Sequence, residues 1–351
     1  MMSKKKNMFN AIFLIAVFVI TTHYIFQGKD MSSLIYYIQK TDLRYWIGAV
    51  FCIIIFVGSE SVLIFYMMHS IQQKVNLTHC FLYSFVGFFF SCITPSATGG
   101  QPAQIYYMKK DNIPIPVATL ILMVITITYK MVLIVLGIIV FIIQPAEVMI
   151  YLTPVKGICY LGLLLNVFCV GFMILLVFHP SIAKNILIST IKVLNKIKLI
   201  KHPSGYLERI EGAMQQYQEV AIFFKTHTLV IFNVFLITVF QRLLFFYITY
   251  LTYRSFGLKG ESWITIVLLQ GMIAVAVDML PLPGGMGISE KLFLMIFTPM
   301  LGNITLPAMV VSRGLSFYAE LILCALFTII AHIVIGRKGN TKGNKNDDRI
   351  L

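Results

Sequence analysis

Thr94-Pro95-Ser96-Ala97-Thr98-Gly99-Gly100-Gln101-Pro102 interrupts an apolar segment that begins at Cys80. The apolar part, residues 80–94, is only about 22 Å long as a helix at 1.5 Å per residue. A membrane helix needs about 20 residues to cross about 30 Å of hydrocarbon. The segment is too short to cross, and its proline and glycines turn the chain back. Irregular backbone persists at membrane depth only where protein or water satisfies its polar groups. The stretch therefore predicts a re-entrant hairpin whose tip lies within a helical bundle. A second segment, residues 262–280, has 19 residues and could almost span before it runs into Pro281-Leu282-Pro283-Gly284-Gly285-Met286-Gly287-Ile288-Ser289-Glu290. A short apolar piece over 291–301 follows it.

The rest of the 351 residues fits around these two breaks. The chain is 58% hydrophobic and 12% charged, with a mean hydropathy of +0.86. Soluble domains are about 25% charged, so a soluble enzyme, a disordered chain and a coiled coil are excluded. Six runs are long enough to span: 8–26, 45–68, 117–143, 157–178, 228–253 and 305–335. The run at 8–26 continues without a small-residue cleavage site and reads as an uncleaved signal anchor.

The formal net charge of +14 could reflect nucleic acid, anionic lipid or topology. Basic residues collect on the cytoplasmic side of membrane proteins. With both broken segments re-entrant and the N-terminus inside, most Lys and Arg fall inside, and both termini are cytoplasmic. The charge is thus topological, and nucleic-acid binding by this chain is not expected.

The expected fold is an all-α polytopic membrane protein of six transmembrane helices and two re-entrant hairpins in an inverted repeat. The single membrane domain covers 1–335. Its units, 45–143 and 228–335, each run span, hairpin, span, in opposite orientation. Such repeats with Gly/Pro-interrupted segments at matching places point to a transporter's midplane site. Between them, 180–227 carries two amphipathic patterns: Ile182, Ile186, Leu194 and Ile197, then Tyr206, Ile210, Ala213 and Tyr217. These read either as interfacial helices on the inner leaflet or as a solvated linker. The tail, 336–351, is basic and polar and reads as disordered and cytoplasmic.

Several residues carry candidate chemistry. At the first tip, the N–H groups of Gly99 and Gly100, the Ser96 and Thr98 hydroxyls and Gln101 precede a helix N-terminus, an arrangement suited to phosphate. The two glycines also permit close backbone approach and a left-handed backbone. A packed helix break is the alternative. At the second tip, Gly284 and Gly285 make the reversal, and Ser289 and Glu290 open the outgoing helix. Glu290 complements the helix dipole or partners a proton or cation.

Glu60, Lys130, Arg242, Asp278, Arg313 and Glu320 are isolated charges within spans. They sum to zero, so full internal pairing is available. Arg313 and Glu320, seven apart, lie on one helical face. Arg313 is the first choice for an anionic headgroup and Arg242 the second, because guanidinium forks onto phosphate. The six cysteines lie in apolar runs and form no CxxC, so they read as buried free thiols. No metal-ligand spacing occurs, no cofactor is called for, and no Walker motif supports ATP hydrolysis.

The two hairpin motifs, Pro95, Gly99, Gly100, Pro102 and Tyr106, then Pro281, Pro283, Gly284, Gly285, Gly287 and Glu290, resemble the lysylphosphatidylglycerol synthase transmembrane family. Ser312-Arg313 resembles that family's arginine in the last helix. The likeness runs from about residue 8 to 335, and includes the flippase half of the bacterial multiple peptide resistance factor.

The resemblance implies a multi-pass protein of the bacterial inner membrane. It would move an anionic or aminoacylated phospholipid, of the lysyl-phosphatidylglycerol kind, between leaflets and so contribute to resistance against cationic antimicrobial peptides. The alternative is phosphatidylglycerol lysyltransferase activity, using lysyl-tRNA, by family label or with a separate soluble synthase. The acyltransferase-like domain of the full-length factor is not visible, with only about 16 residues after the last span. A membrane scaffold is a third reading, and a homo-oligomer is compatible with all three. One departure stands out: Thr128-Tyr129-Lys130 replaces the Glu-Arg and Asp that many members carry in that span.

Overall fold

The computed structural model describes residues 31–196 and 204–336. The expected first span (8–26), the tail beyond Gly336, and Ile197 of the linker lie outside the described residues.

The described chain is helical, with no strand among the described residues. A short helix α1 (Met31–Gln39) leads into α2 (Leu43–Ser70). The Asp42 carboxylate caps α2 by accepting the Arg44 N–H at 2.9 Å. The first broken segment forms α3 (Leu77–Ile93) and α4 (Gly100–Lys110), joined by the tip. Then come α5 (Ile115–Ile143), α6 (Ala146–Leu152) and α7 (Lys156–Phe178). The linker folds as α8 (Pro180–Lys196) and α9 (Ser204–Thr226). The second half has α10 (Thr228–Ser255), the hairpin arms α11 (Trp263–Val277) and α12 (Ile288–Leu301), then α13 (Thr305–Arg313) and α14 (Ala319–Ala331).

The protein is a multi-pass membrane protein. Among the described residues five segments are long and apolar enough to span: Leu43–Ser70, Ile115–Ile143, Ala146–Phe178, Thr228–Ser255 and Ile288–Ile335. They match five of the six expected runs. The last combines α12 with the final helix. The chain folds back at Gly302, whose φ is +54°, and α12 packs against α13.

Both broken segments double back. The arms of the first hairpin pack on each other, and so do those of the second. At the base of the first, His79 Nδ1 lies 2.7 Å from Asp111 Oδ2, which also accepts the Tyr83 hydroxyl. This base adjoins the end of α2 near His69. At the base of the second, Tyr151 donates to Glu261 Oε1 at 2.9 Å and Thr265 donates to Glu147 Oε2 at 3.3 Å. That base adjoins the other end of α2, where the Asp42 N–H donates to the Ser255 carbonyl at 2.9 Å. The ends of a 28-residue helix are about 42 Å apart. The hairpins therefore enter from opposite ends of the bundle. Their tips meet, with the Ser96 hydroxyl donating to the Leu280 carbonyl at 3.3 Å.

The linker is not wholly a surface feature. Met214, Tyr217, Ala221 and Phe224 of α9 are buried in one core cluster with α5 residues such as Leu120 and Ile121. The Tyr217 hydroxyl reaches the Leu176 carbonyl at 3.3 Å. One apolar face of α9 is thus spent on protein rather than lipid.

Candidate functional site

The meeting tips border two adjoining open cavities into which charged side chains project from the apolar bundle. The larger cavity, about 540 Å³, is lined by Ser96, Thr98 and Gln101 of the first tip, and by Glu60, Lys130, Arg242, Asp278 and Glu320 from four surrounding helices and the start of the second tip. The adjoining cavity, about 220 Å³, takes in Gly284, Gly285, Ser289 and Arg313. The structure thus brings most of the expected site residues to one place.

The two tips reverse by different local means. At the first, the left-handed residues are Ser96 (φ +50°) and Ala97 (φ +54°), while Gly99 is helical at φ −83°. Of the two expected uses of Gly99 and Gly100, positive φ is corrected and close approach holds. A Cβ on Gly100 would sit 2.7 Å from the Gly87 carbonyl and collide with the Ser91 hydroxyl. One on Gly99 would meet Thr94 Cγ2 at 2.6 Å. Both glycines are consumed in hairpin packing and line neither cavity. The Gly99 N–H is also occupied, by Thr94 Oγ1 at 2.9 Å. Thr98 donates to the Pro95 carbonyl at 2.9 Å, and Gln101 donates to Thr126 Oγ1 at 2.5 Å.

At the second tip the glycines do take the left-handed conformation: Gly284 (φ +56°), Gly285 (φ +67°) and Gly287 (φ +86°). Glu290 Oε2 accepts the Gly287 N–H at 2.6 Å, capping α12, and its other oxygen accepts Arg313 Nε at 2.7 Å. Arg313 Nη2 donates to the Gly284 carbonyl at 3.0 Å. Arg313 is therefore a strut that fixes the tip, with two of its nitrogens committed to protein. Immediately after it the helix widens into a π-helical turn, Gly314–Tyr318. Such turns commonly mark functional sites. Arg313 and Glu320 line the same small cavity but form no ion pair with each other.

The charged residues sort into two closed pairs and an open group. Lys130 Nζ donates to Asp278 Oδ2 at 2.5 Å, and the Tyr129 hydroxyl donates to Asp278 Oδ1. The second pair is Arg313 with Glu290. The open group is Glu60, Arg242 and Glu320. The Arg242 guanidinium lies 3.6 Å from the Tyr129 ring centroid and 5.1 Å from that of Phe56. Its Nε is buried and has no hydrogen-bond partner among the described residues. Glu60 Oε1 accepts Gln104 Nε2 at 3.3 Å. Geometry thus reverses the order of the two arginines: Arg242 is the more available for an anion and Arg313 the less.

This architecture, two hairpins from opposite ends meeting at a charged cavity, accompanies a family match over residues 8–324, described as the lysylphosphatidylglycerol synthase TM region. The chain belongs to this family. No individual curated protein matches it. Within this lysylphosphatidylglycerol synthase TM region the sequence flagged every charge of the cavity but missed neutral polar groups, Tyr129 and Gln270 among them. Tyr129 is the platform for Arg242 and a donor to Asp278. Gln270 lines the smaller cavity, with a buried Oε1 that has no partner. Their signal was a polar side chain in an otherwise apolar helix, which charge counting does not register.

Proposed function

We propose that this chain moves a phospholipid between membrane leaflets, with the headgroup passing through the cavity between the two tips and the acyl chains remaining in lipid. The units 45–143 and 228–335 act as inverted-repeat halves whose alternate exposure carries the headgroup across. Membership in a lysylphosphatidylglycerol-related family supports a phosphatidylglycerol-type substrate. The setting is a bacterial inner membrane with both termini cytoplasmic. A separate soluble synthase would supply an aminoacylated lipid, and the physiological outcome would be resistance to cationic antimicrobial peptides.

One observation carries this reading: a cavity of about 540 Å³ deep in an apolar bundle, in which the Arg242 Nε has no partner. A buried guanidinium of this kind suits a phosphate oxygen. A hydrogen bond to a charged group contributes about 1.5–3 kcal/mol. Arg242→Ala is therefore expected to slow movement of labelled phosphatidylglycerol in proteoliposomes by about ten- to a hundredfold, with Arg242→Lys retaining part of the rate. An unchanged rate in a folded Arg242→Ala protein rejects the assignment.

The family description also favours a second reading, transfer of lysine from lysyl-tRNA to phosphatidylglycerol. Purified protein incubated with charged tRNA and phosphatidylglycerol would then form a new lipid. No product would reject intrinsic activity.

A further inference from the structure

The charges around the cavity do not balance. Four carboxylates, Glu60, Asp278, Glu290 and Glu320, meet three cations, Lys130, Arg242 and Arg313. The sequence tally summed to zero only because Glu290 was counted with its tip. Two cations are closed off in pairs. Arg242 is left to interact with both Glu60 on α2 and Glu320 on α14.

The two carboxylates differ. Glu60 has the Gln104 amide as a donor. Glu320 is only 5% exposed and lines both cavities, yet no hydrogen bond reaches it among the described residues. An ionised carboxylate so placed carries a desolvation cost of several kcal/mol. A proton or a cation relieves it.

We propose that Glu320 is a proton-binding site, and that its proton travels with an anionic headgroup held at Arg242. This rests on the flippase reading above. With every group ionised, the cavity holds one surplus negative charge. An anionic headgroup alone would double that charge in a low-dielectric interior. The same headgroup arriving with a proton on Glu320 leaves the charge unchanged. The step is a reversible protonation: the carboxylate takes a proton from one side and releases it to the other as the lipid leaves.

The surroundings favour a proton over a metal ion. Arg242 and Arg313 both act on Glu320 and would repel a bound metal cation. Among the described residues no three His, Cys, Asp or Glu side chains converge as a metal site. The other titratable groups facing Glu320 are Cys92 on α3, Tyr129 on α5 and Cys324 on α14 itself. Thiols and phenols of ordinary pKa hold their protons at neutral pH. Exchange at and below neutrality thus falls to the two glutamates, and Glu320 is the one without a donor.

The test uses the full chain in liposomes of phosphatidylcholine and phosphatidylglycerol, with labelled phosphatidylglycerol and a trapped pH dye. One proton per lipid lets a gradient of one pH unit drive up to about tenfold asymmetry of the label between leaflets. The dye is expected to report protons moving in step with the label. Clamping the membrane potential should change nothing, because proton plus anion is neutral. Replacing sodium by choline should also change nothing. Glu320→Gln is expected to abolish the response to the gradient, and Glu320→Asp to keep it. Lipid movement that ignores the gradient and moves no protons overturns the coupling and leaves the flippase reading standing. Dependence on sodium overturns the proton assignment. No lipid movement by the unaltered protein under any gradient overturns both readings. A folded Glu320→Gln that still follows the gradient overturns the Glu320 assignment. If that variant fails to fold, the wild-type arms still decide the coupling, and loss of the response in a folded Glu320→Asp overturns the site.

Discussion

Both hairpin tips carry a Gly-Gly pair near prolines, on both sides of it in the first and only before it in the second. In the first, the left-handed residues are Ser96 and Ala97 and the glycines lie in helical conformation; in the second, Gly284, Gly285 and Gly287 are themselves left-handed. The first tip is held by short-range packing of its own arms, where Gly100 meets the Gly87 carbonyl and Ser91, and by a neutral bond from Gln101 to Thr126 on α5. The second is held from outside, by Arg313 reaching from the final helix to Glu290 and Gly284. A shared motif thus reports that backbones come close or turn sharply, and does not say which. The difference also assigns the arginines. Arg313 is spent on one tip, and Arg242, in the first span of the same unit, is not.

The largest expected effect comes from breaking the strut. Arg313→Ala leaves Glu290 buried without its cation, a change that costs about 3–5 kcal/mol. Among the described residues the first tip has no ionic equivalent, its outside anchor being the neutral Gln101 bond to Thr126 on α5. Its link to the second is a single neutral hydrogen bond from Ser96, so Ser96→Ala should cost only about 1 kcal/mol. Denaturant unfolding of the detergent-solubilised protein measures both. Equal losses would erase the distinction between an externally braced tip and a self-packed one.

The next effect separates the two uses of glycine. Gly284→Ala incurs a left-handed penalty of about 1–2 kcal/mol. It also drives a methyl into the Phe317 ring, with overpacking of about 1–3 kcal/mol. Gly100→Ala incurs only the second kind, against Ser91 and the Gly87 carbonyl. The same unfolding assay should rank Gly284→Ala as the more damaging.

The smallest effect has the opposite sign. Ala97 holds φ +54° on an exposed part of the first tip. Ala97→Gly removes about 1–2 kcal/mol of strain and adds about 0.4–1 kcal/mol of unfolded-state entropy. A net gain of up to about 1.6 kcal/mol is expected. A loss would mean that the Ala97 methyl makes a contact worth more than the strain.

Much of the fold was legible because its causes are local. Residues 80–94 are too few to cross a bilayer and end in a breaker, and the same is nearly true of 262–280. Those two facts, with the positive-inside pattern, define two returning segments. The amphipathic face of α9 was legible too, but what covers it was not. Hydropathy marks an apolar face without distinguishing lipid from protein, and α5 lies beneath Tyr217 and Phe224.

The sequence by itself determined an all-helical membrane protein with two broken segments and a set of isolated charges, since each follows from composition and spacing within one segment. Tertiary structure alone decided which charge closes on which. Lys130 and Asp278 are 148 positions apart, and Arg313 chooses Glu290 across the turn rather than Glu320 on its own face. Pairing depends on where helices cross and how far a side chain reaches, and neither quantity is written in any single segment. The same crossings leave Arg242 over Tyr129 and Glu320 without a donor, which is where the lipid and the proton are assigned.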